Sequence, residues 1–252
     1  MVAPRVAAGV LCALLSAGSA AAPELERAVL LISHSEPGMR TAVGTGFLVT
    51  AQGLVVTADH VITDETSGGK PYPKLFAQRF TGTSFETSEL VVVKRMREGN
   101  TGRDIAVLQM RAPPPNLPYL RIAEQVTLGG DVLIAGFPLV FDKPYPHPLI
   151  RHGVIASTRY RYEGAAVLVL DLTSVSGYSG SPVVRLPEGD VVGVFRGSSA
   201  DHPDADFSVA FVLTSDDLRP TTIPGKTPSS GDLTPNPSLQ RTLPGRSPGQ
   251  RR

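Results

Sequence analysis

The sequence predicts an all-β protein of two closed antiparallel sheets, about six strands each, and three observations carry that prediction. The 252 residues include 25 Gly and 23 Pro, so turn formers are frequent. Between them recur short runs of Val, Leu, Ile and Phe, while few stretches repeat apolar residues at helical spacing. The segment Pro113-Pro114-Pro115-Asn116-Leu117-Pro118 divides these runs into two sets. Proline lacks the amide donor that a central strand needs, so this segment reads as a stiff connection between two halves.

The first set comprises 28–33, 43–50, 54–58, 74–79, 89–94 and 105–110. The second comprises 132–136, 150–157, 166–171, 182–185, 191–197 and 207–213. Six short strands can close a small barrel in each half, and a cleft between the two barrels can then draw residues from both. No convincing internal repeat joins the halves.

The two ends read differently. Arg5, the apolar run Val6–Leu15 and the small residues Ser16–Ala22 have the pattern of a secretory signal peptide, residues 1–22. The apolar run is too short to span a bilayer. Cys12, the one cysteine, lies within it, so the exported protein is expected to hold its core without disulfides. Residues 218–252 are rich in Pro, Ser, Thr, Gly and Arg and read as a disordered tail. That tail carries six basic residues against Asp232 alone, and Arg5 lies in the signal segment. The body, residues 23–217, keeps 17 Lys and Arg against 22 Asp and Glu, a net charge of −5. An acidic body gives no reason to expect a nucleic-acid partner.

Three segments of the body offer chemistry when taken together. His60 follows the apolar run Leu54-Val55-Val56-Thr57-Ala58, which places it at a strand end. Taken alone, such a histidine is more often structural. Asp104 precedes Ile105-Ala106-Val107-Leu108, where a carboxylate can be shielded from water and still reach a histidine; taken alone, it reads as a turn residue paired with Arg103. Ser179 stands in Gly177-Tyr178-Ser179-Gly180-Ser181-Pro182, whose glycines allow a tight turn with an open hydroxyl. A serine hydroxyl is a weak nucleophile until an imidazole takes its proton and a carboxylate orients that imidazole. The amides of Gly177 and Ser179 could converge on the oxyanion of a tetrahedral intermediate. Ser181 has Pro182 after it and the wrong flanks for this role. The remaining histidines lack a catalytic context: His147 sits between prolines and His202 in an acidic turn-like loop. No metal or phosphate motif appears, so no cofactor is expected.

The chain order His60, Asp104, Ser179, together with several further stretches, resembles the trypsin-like serine peptidases, especially the bacterial HtrA/Deg-type branch. Gly44-Thr45-Gly46-Phe47-Leu48-Val49 resembles the family's entry motif. Gly130-Asp131-Val132-Leu133-Ile134-Ala135-Gly136-Phe137-Pro138 and Gly153-Val154-Ile155-Ala156-Ser157 resemble two of its later strands. Asp171, eight residues before Ser179, and Val191-Val192-Gly193-Val194 match as well. The resemblance implies the chymotrypsin-like double β-barrel, with an N-barrel at about 25–112 and a C-barrel at about 119–217. It implies a serine endopeptidase acting on protein or peptide substrates, with His60 as general base, Asp104 as its partner, Ser179 as nucleophile and Gly177 in the oxyanion hole. Thr173, six residues before Ser179, falls where the base of the primary specificity pocket often lies. It carries no charge, so a preference for Lys or Arg is not expected. Export makes the location periplasmic or secreted, with no membrane span after signal cleavage. Three departures stand out. Tyr178 occupies a position where the family has Asn or Asp and bears on the oxyanion loop. It also cannot form the ion pair with a freed amino terminus on which trypsin-style activation depends. The length leaves no room for a PDZ domain. A peptide-binding module on the same fold, impaired in catalysis, and a hydrolase of small esters are the alternatives.

Overall fold

The apolar runs become strands because short stretches of β-branched and aromatic residues fit a pleated, half-buried surface, and the turn formers between them stop each run. The structure is a computed structural model that describes residues 24–36, 39–64, 67–97, 102–140, 143–198 and 207–219. The expected signal peptide with Cys12, the residues beyond 219 that the sequence reads as a tail, and His202 lie outside the described residues. Among the described residues no helix is long and apolar enough to cross a membrane.

The first half contains β1 (Val29–Glu36), β2 (Met39–Leu48), β3 (Leu54–Thr57), β4 (Thr63–Asp64), β5 (Lys70–Pro71), β6 (Leu75–Phe80), β7 (Phe85–Arg95) and β8 (Ala106–Met110). The second half contains β9 (Asp131–Gly136), β10 (Leu139–Val140), β11 (Lys143–Pro144), β12 (Leu149–Tyr162), β13 (Ala165–Asp171), β14 (Pro182–Arg185), β15 (Val191–Gly197) and β16 (Ser208–Val212). Six strands of each half close an antiparallel barrel, in the orders β1-β2-β3-β8-β7-β6 and β9-β12-β13-β16-β15-β14. Relabelled within each half, the two orders are the same, so the barrels repeat one topology without a visible sequence repeat. The pairs β4–β5 and β10–β11 are small excursions outside the barrels.

All twelve expected runs lie in barrel strands, but several strands run further, among them β12, β7 and β2, which begins at Met39. β12 continues beyond Ser157 through Arg159-Tyr160-Arg161-Tyr162 and turns into β13 at Glu163-Gly164. Both turn residues have positive φ, +48° and +83°, the backbone of a two-residue hairpin loop that matches the strand twist. β7 begins at Phe85, four residues before the apolar run, because its polar start pairs with β6 from Phe80↔Phe85 onward.

The C-barrel strands are continuous apolar runs for a reason that side-chain alternation makes visible. Val132 and Ile134 of β9, with Leu168 and Leu170 of β13, belong to one buried cluster that also holds Phe195. Their neighbours Leu133, Ala135 and Val167 belong to a second cluster that includes Phe47, Val56 and Leu108 of the N-barrel. Successive side chains point to opposite faces, so both faces of these strands are buried, one inside the C-barrel and one against its partner. The proline-rich connection is stitched to both: the Leu120 amide donates to the Leu48 carbonyl and the Ala123 amide to that of Val191.

Candidate active site

His60 sits in a single 3-10 turn, Asp59–Val61, immediately after β3. The residue before it holds that turn in place. Asp59 is fully buried, and its carboxylate takes two hydrogen bonds from Arg95 of β7, Nε to Oδ1 at 2.6 Å and Nη2 to Oδ2 at 2.8 Å. Arg95 Nη2 also donates to the Gly69 carbonyl at 3.0 Å. A bidentate guanidinium of this kind fixes orientation as well as charge. Nothing in the sequence pairs residues 36 positions apart, and Asp59 and Arg95 escape a motif reading for that reason.

Asp104 lies just before β8 and is buried. Its Oδ1 accepts the His60 backbone N–H at 2.9 Å, and its Oδ2 lies 2.6 Å from His60 Nδ1. An ionised carboxylate only accepts, so Nδ1 carries the proton and Nε2 is left as the free basic nitrogen. Burial alone would push the Asp104 carboxyl up. The hydrogen bonds and charge of His60, helped by the Arg196 guanidinium, outweigh this and hold it below the usual carboxylate range. Arg196 is a residue that sequence reasoning missed. Its Nε stands 3.6 Å from Asp104 Oδ2, its Nη1 donates to the Ser198 carbonyl at 3.1 Å, and its guanidinium carbon lies 4.6 Å from the centre of the Tyr162 ring. The neighbouring Arg103 does not pair with Asp104. It reaches Asp217 instead, with Nη1 to Oδ1 at 2.7 Å and Nη2 to Oδ2 at 2.8 Å.

Ser179 lies near the end of the connection from β13 to β14. Its Oγ donates to the Arg196 carbonyl at 3.1 Å. Among the described residues no hydrogen bond joins it to His60, so the structure links two of the three expected partners directly and parks the third. Gly177 and Gly180 flank it at φ +94° and +85°, the left-handed region that side chains disfavour. The Gly177 and Ser179 amides donate to no described residue. The carbonyls of the same two peptide units are occupied: that of Ser176 accepts from Leu139 N–H at 2.8 Å and that of Tyr178 from Ser181 N–H at 2.9 Å. With each carbonyl bonded on one side, the amide opposite it faces away and is free to take a negative oxygen.

Tyr178 turns its side chain into the C-barrel, where it is 2% exposed, meets Phe195 edge-on at 6.5 Å and donates its hydroxyl to the Leu149 carbonyl at 3.3 Å. Gly136 makes this possible, since a side chain there would run into the Tyr178 ring. Burial pushes the Tyr178 hydroxyl above the usual phenol range, against the opposing charge of Arg151. Thr173 is exposed, and its carbonyl accepts a hydrogen bond from Arg151.

Comparisons with known proteins agree with this architecture. The chain is 29% identical over 212 residues to the mitochondrial serine protease HTRA2 of Bos taurus, covering 79% of this chain and 40% of that protein. It is 27% identical over 160 residues to the same-named protein of Drosophila willistoni, covering 60% of this chain and 32% of that one. The chain thus spans about a third to two fifths of the length of these relatives. Among solved structures, the HtrA-type protease AlgW with a tripeptide superposes with a TM-score of 0.61 at 18% identity, over 77% of this chain and 59% of that one. The serine endoprotease from Yersinia pestis gives 0.59 at 21%, over 77% and 61%. These likenesses show a shared fold. The family model described as a trypsin-like peptidase domain matches residues 44–194, well over half of the chain and the whole stretch from the entry motif to β15, and the protein belongs to that family.

Proposed function

We propose that the protein is a serine endopeptidase that hydrolyses peptide bonds through His60, Asp104 and Ser179 and an acyl-enzyme intermediate. The observation that carries this reading is the pair of hydrogen bonds that His60 donates to Asp104, which leaves Nε2 as the acceptor nitrogen near a serine turn whose two amides donate to no described residue. The Ser179 hydroxyl leaves the Arg196 carbonyl and passes its proton to His60 Nε2 as Oγ attacks the substrate carbonyl carbon. The carbonyl π pair moves to oxygen, and the Gly177 and Ser179 amides take the resulting oxyanion. The imidazolium, held by Asp104, then gives its proton to the departing amine as the C–N bond breaks. Water repeats the sequence on the ester and restores the serine. No step calls for a metal or organic cofactor. Protein or peptide chains are the substrates. The signal-like residues 1–22 support export, hence a periplasmic or secreted enzyme.

One observation favours a second reading, a peptide-binding module impaired in catalysis. The nucleophile's hydroxyl rests on Arg196 and not on the imidazole. Tyr178 gives that reading no help, since its ring is turned away from the turn's open face.

Incubation of the protein and its Ser179→Ala variant with a fluorophosphonate probe and unfolded casein decides between them. Labelling and cleavage by the parent alone support the peptidase. A folded parent that neither labels nor cuts overturns it.

A further inference from the structure

The serine turn belongs to the C-barrel, yet a residue of the N-barrel holds it. Thr45, on β2, is fully buried, and both its amide and its hydroxyl bond the serine turn. Its amide donates to the Ser179 carbonyl at 2.8 Å. Its Oγ1 donates to the Gly177 carbonyl at 2.7 Å and accepts the Phe137 amide at 3.0 Å. Its carbonyl accepts from Thr57 Oγ1 at 2.6 Å, which ties β2 to the strand that leads to His60.

A hydroxyl offers one donor and two acceptor lone pairs. Here the donor goes to the peptide that separates the two free amides, and one lone pair takes the amide next to the β10 excursion. The Gly177 carbonyl can face Thr45 only while the Gly177–Tyr178 peptide keeps its present plane. That plane sets the angle between the Gly177 and Ser179 amides, because it is the one peptide unit lying between theirs. Gly177 at φ +94° has no side chain to restrict it. The peptide's other end is held within the turn by a longer bond, from the Tyr178 amide to the Val175 carbonyl at 3.3 Å, so the 2.7 Å bond from Thr45 is the closer restraint.

We propose that Thr45 is a positioning residue for the oxyanion hole: its hydroxyl locks the Gly177–Tyr178 peptide and so keeps the two amides convergent before substrate arrives. This rests on the peptidase reading above. It also assigns the entry motif a role in the site, through a hydroxyl that either threonine or serine can supply.

The test compares Thr45→Val, which keeps the shape and removes the hydroxyl, with Thr45→Ser, which keeps the hydroxyl and removes a methyl. Peptide hydrolysis is read as kcat and KM separately. Losing an oxyanion donor outright costs roughly 10²–10³ in kcat, and a loosened hole is expected to cost about tenfold or more. Thr45→Val therefore loses kcat with KM little changed, and Thr45→Ser restores it. Amide exchange over residues 176–181, followed by mass spectrometry, reads the turn without catalysis; it quickens in Thr45→Val and not in Thr45→Ser. If Thr45→Val does not fold, Thr45→Ser alone still decides, because near-parental kcat and exchange support the hydroxyl and a loss of either points to packing. Equal kcat and exchange in all three proteins overturn the proposal. A parent that matches Ser179→Ala in failing to cut casein sinks the peptidase reading, and the exchange comparison then tests Thr45 independently.

Discussion

The two barrels share one strand order, yet they hold their parts of the site by different physics. His60 lies on the connection from the third to the fourth barrel strand of the first half, and Ser179 on the equivalent connection of the second. In the N-barrel that connection is pinned by charge: Asp59 to Arg95, with Asp104 reaching in from the neighbouring connection to His60. In the C-barrel it is pinned by backbone, with glycines at positive φ and peptide groups bonded to Leu139, Ser181 and Thr45. The difference follows the work proposed for each. A proton acceptor needs a fixed side chain and a fixed field, whereas an oxyanion hole needs fixed amides. The N-barrel should therefore fail through lost charges and the C-barrel through added atoms.

The largest expected effect removes a charge at constant shape. Asp104→Asn keeps the volume but loses the acceptor that holds Nδ1–H, and substitutions of this kind cost about 10⁴ in kcat. The fold should survive, so a normal melting transition beside a collapsed kcat is the expected pair of results. A kcat within tenfold of the parent would show that the field at His60 does not come from Asp104.

Next come one added atom and one lost charge, set against each other. Gly180→Ala places a methyl on the Thr45 carbonyl and the Thr57 hydroxyl at a φ of +85°. Neither neighbour can retreat, because both are buried in strands, so a loss of order 3–5 kcal/mol is expected. Asp59→Asn removes the buried carboxylate that takes two hydrogen bonds from Arg95, a change that also costs about 3–5 kcal/mol. Urea unfolding measures both. The comparison breaks if Gly180→Ala is tolerated, since the C-barrel turn would then not be held by close backbone contact.

These residues also show where sequence reading stops. The strands were legible because each is a local run with its own boundaries, and the candidate triad was legible because each member sits beside such a run. His60, Asp104 and Ser179 announce themselves through flanking residues. Arg95, Arg196 and Thr45 do not, since what matters is a partner 36, 92 or 132 positions away. The far part of β12 is not legible because Arg159-Tyr160-Arg161-Tyr162 lacks an apolar run, and its pairing with β13 is decided by the Glu163-Gly164 turn. The sequence places Tyr178 at a position that bears on the oxyanion loop, but the room that Gly136 leaves for its ring is a contact 42 positions away and is not legible there.

Smaller effects follow from acid. Burial would raise the Asp217 carboxyl, but hydrogen bonds and charge from Arg103 and bonds from Thr214 hold it below the usual range. A carboxyl depressed on folding adds stability that is complete above the unfolded value, about 4, and fades as pH falls through the folded value. Asp104 works in the same window and the same direction. Asp217→Asn should therefore lower the melting temperature at pH 7, by an amount equivalent to about 1–2 kcal/mol, and the gap to the parent should narrow as pH falls through the folded value. A gap that persists unchanged in acid would assign the loss to packing and not to the Arg103 pair.

The smallest expected effect sharpens the claim about charge. Arg79 and Glu86 form an ion pair at 2.6 Å in the same N-barrel, with side chains 19% and 52% exposed. Its geometry is as close as that of Asp59 and Arg95, so a mechanism that depended on the number of ion pairs would rank the two alike. Water decides otherwise. An exposed pair gives up little hydration and is screened by salt, and it contributes roughly 0–1 kcal/mol. Glu86→Gln should leave kcat, KM and the urea midpoint near the parental values, with any small loss vanishing in 1 M salt. A loss as large as that of Asp59→Asn would mean that the N-barrel draws on its charges generally. Silence at Glu86 beside failure at Asp59 would place the requirement where the structure has it, in the Asp59–Arg95 pair sealed from solvent beside His60.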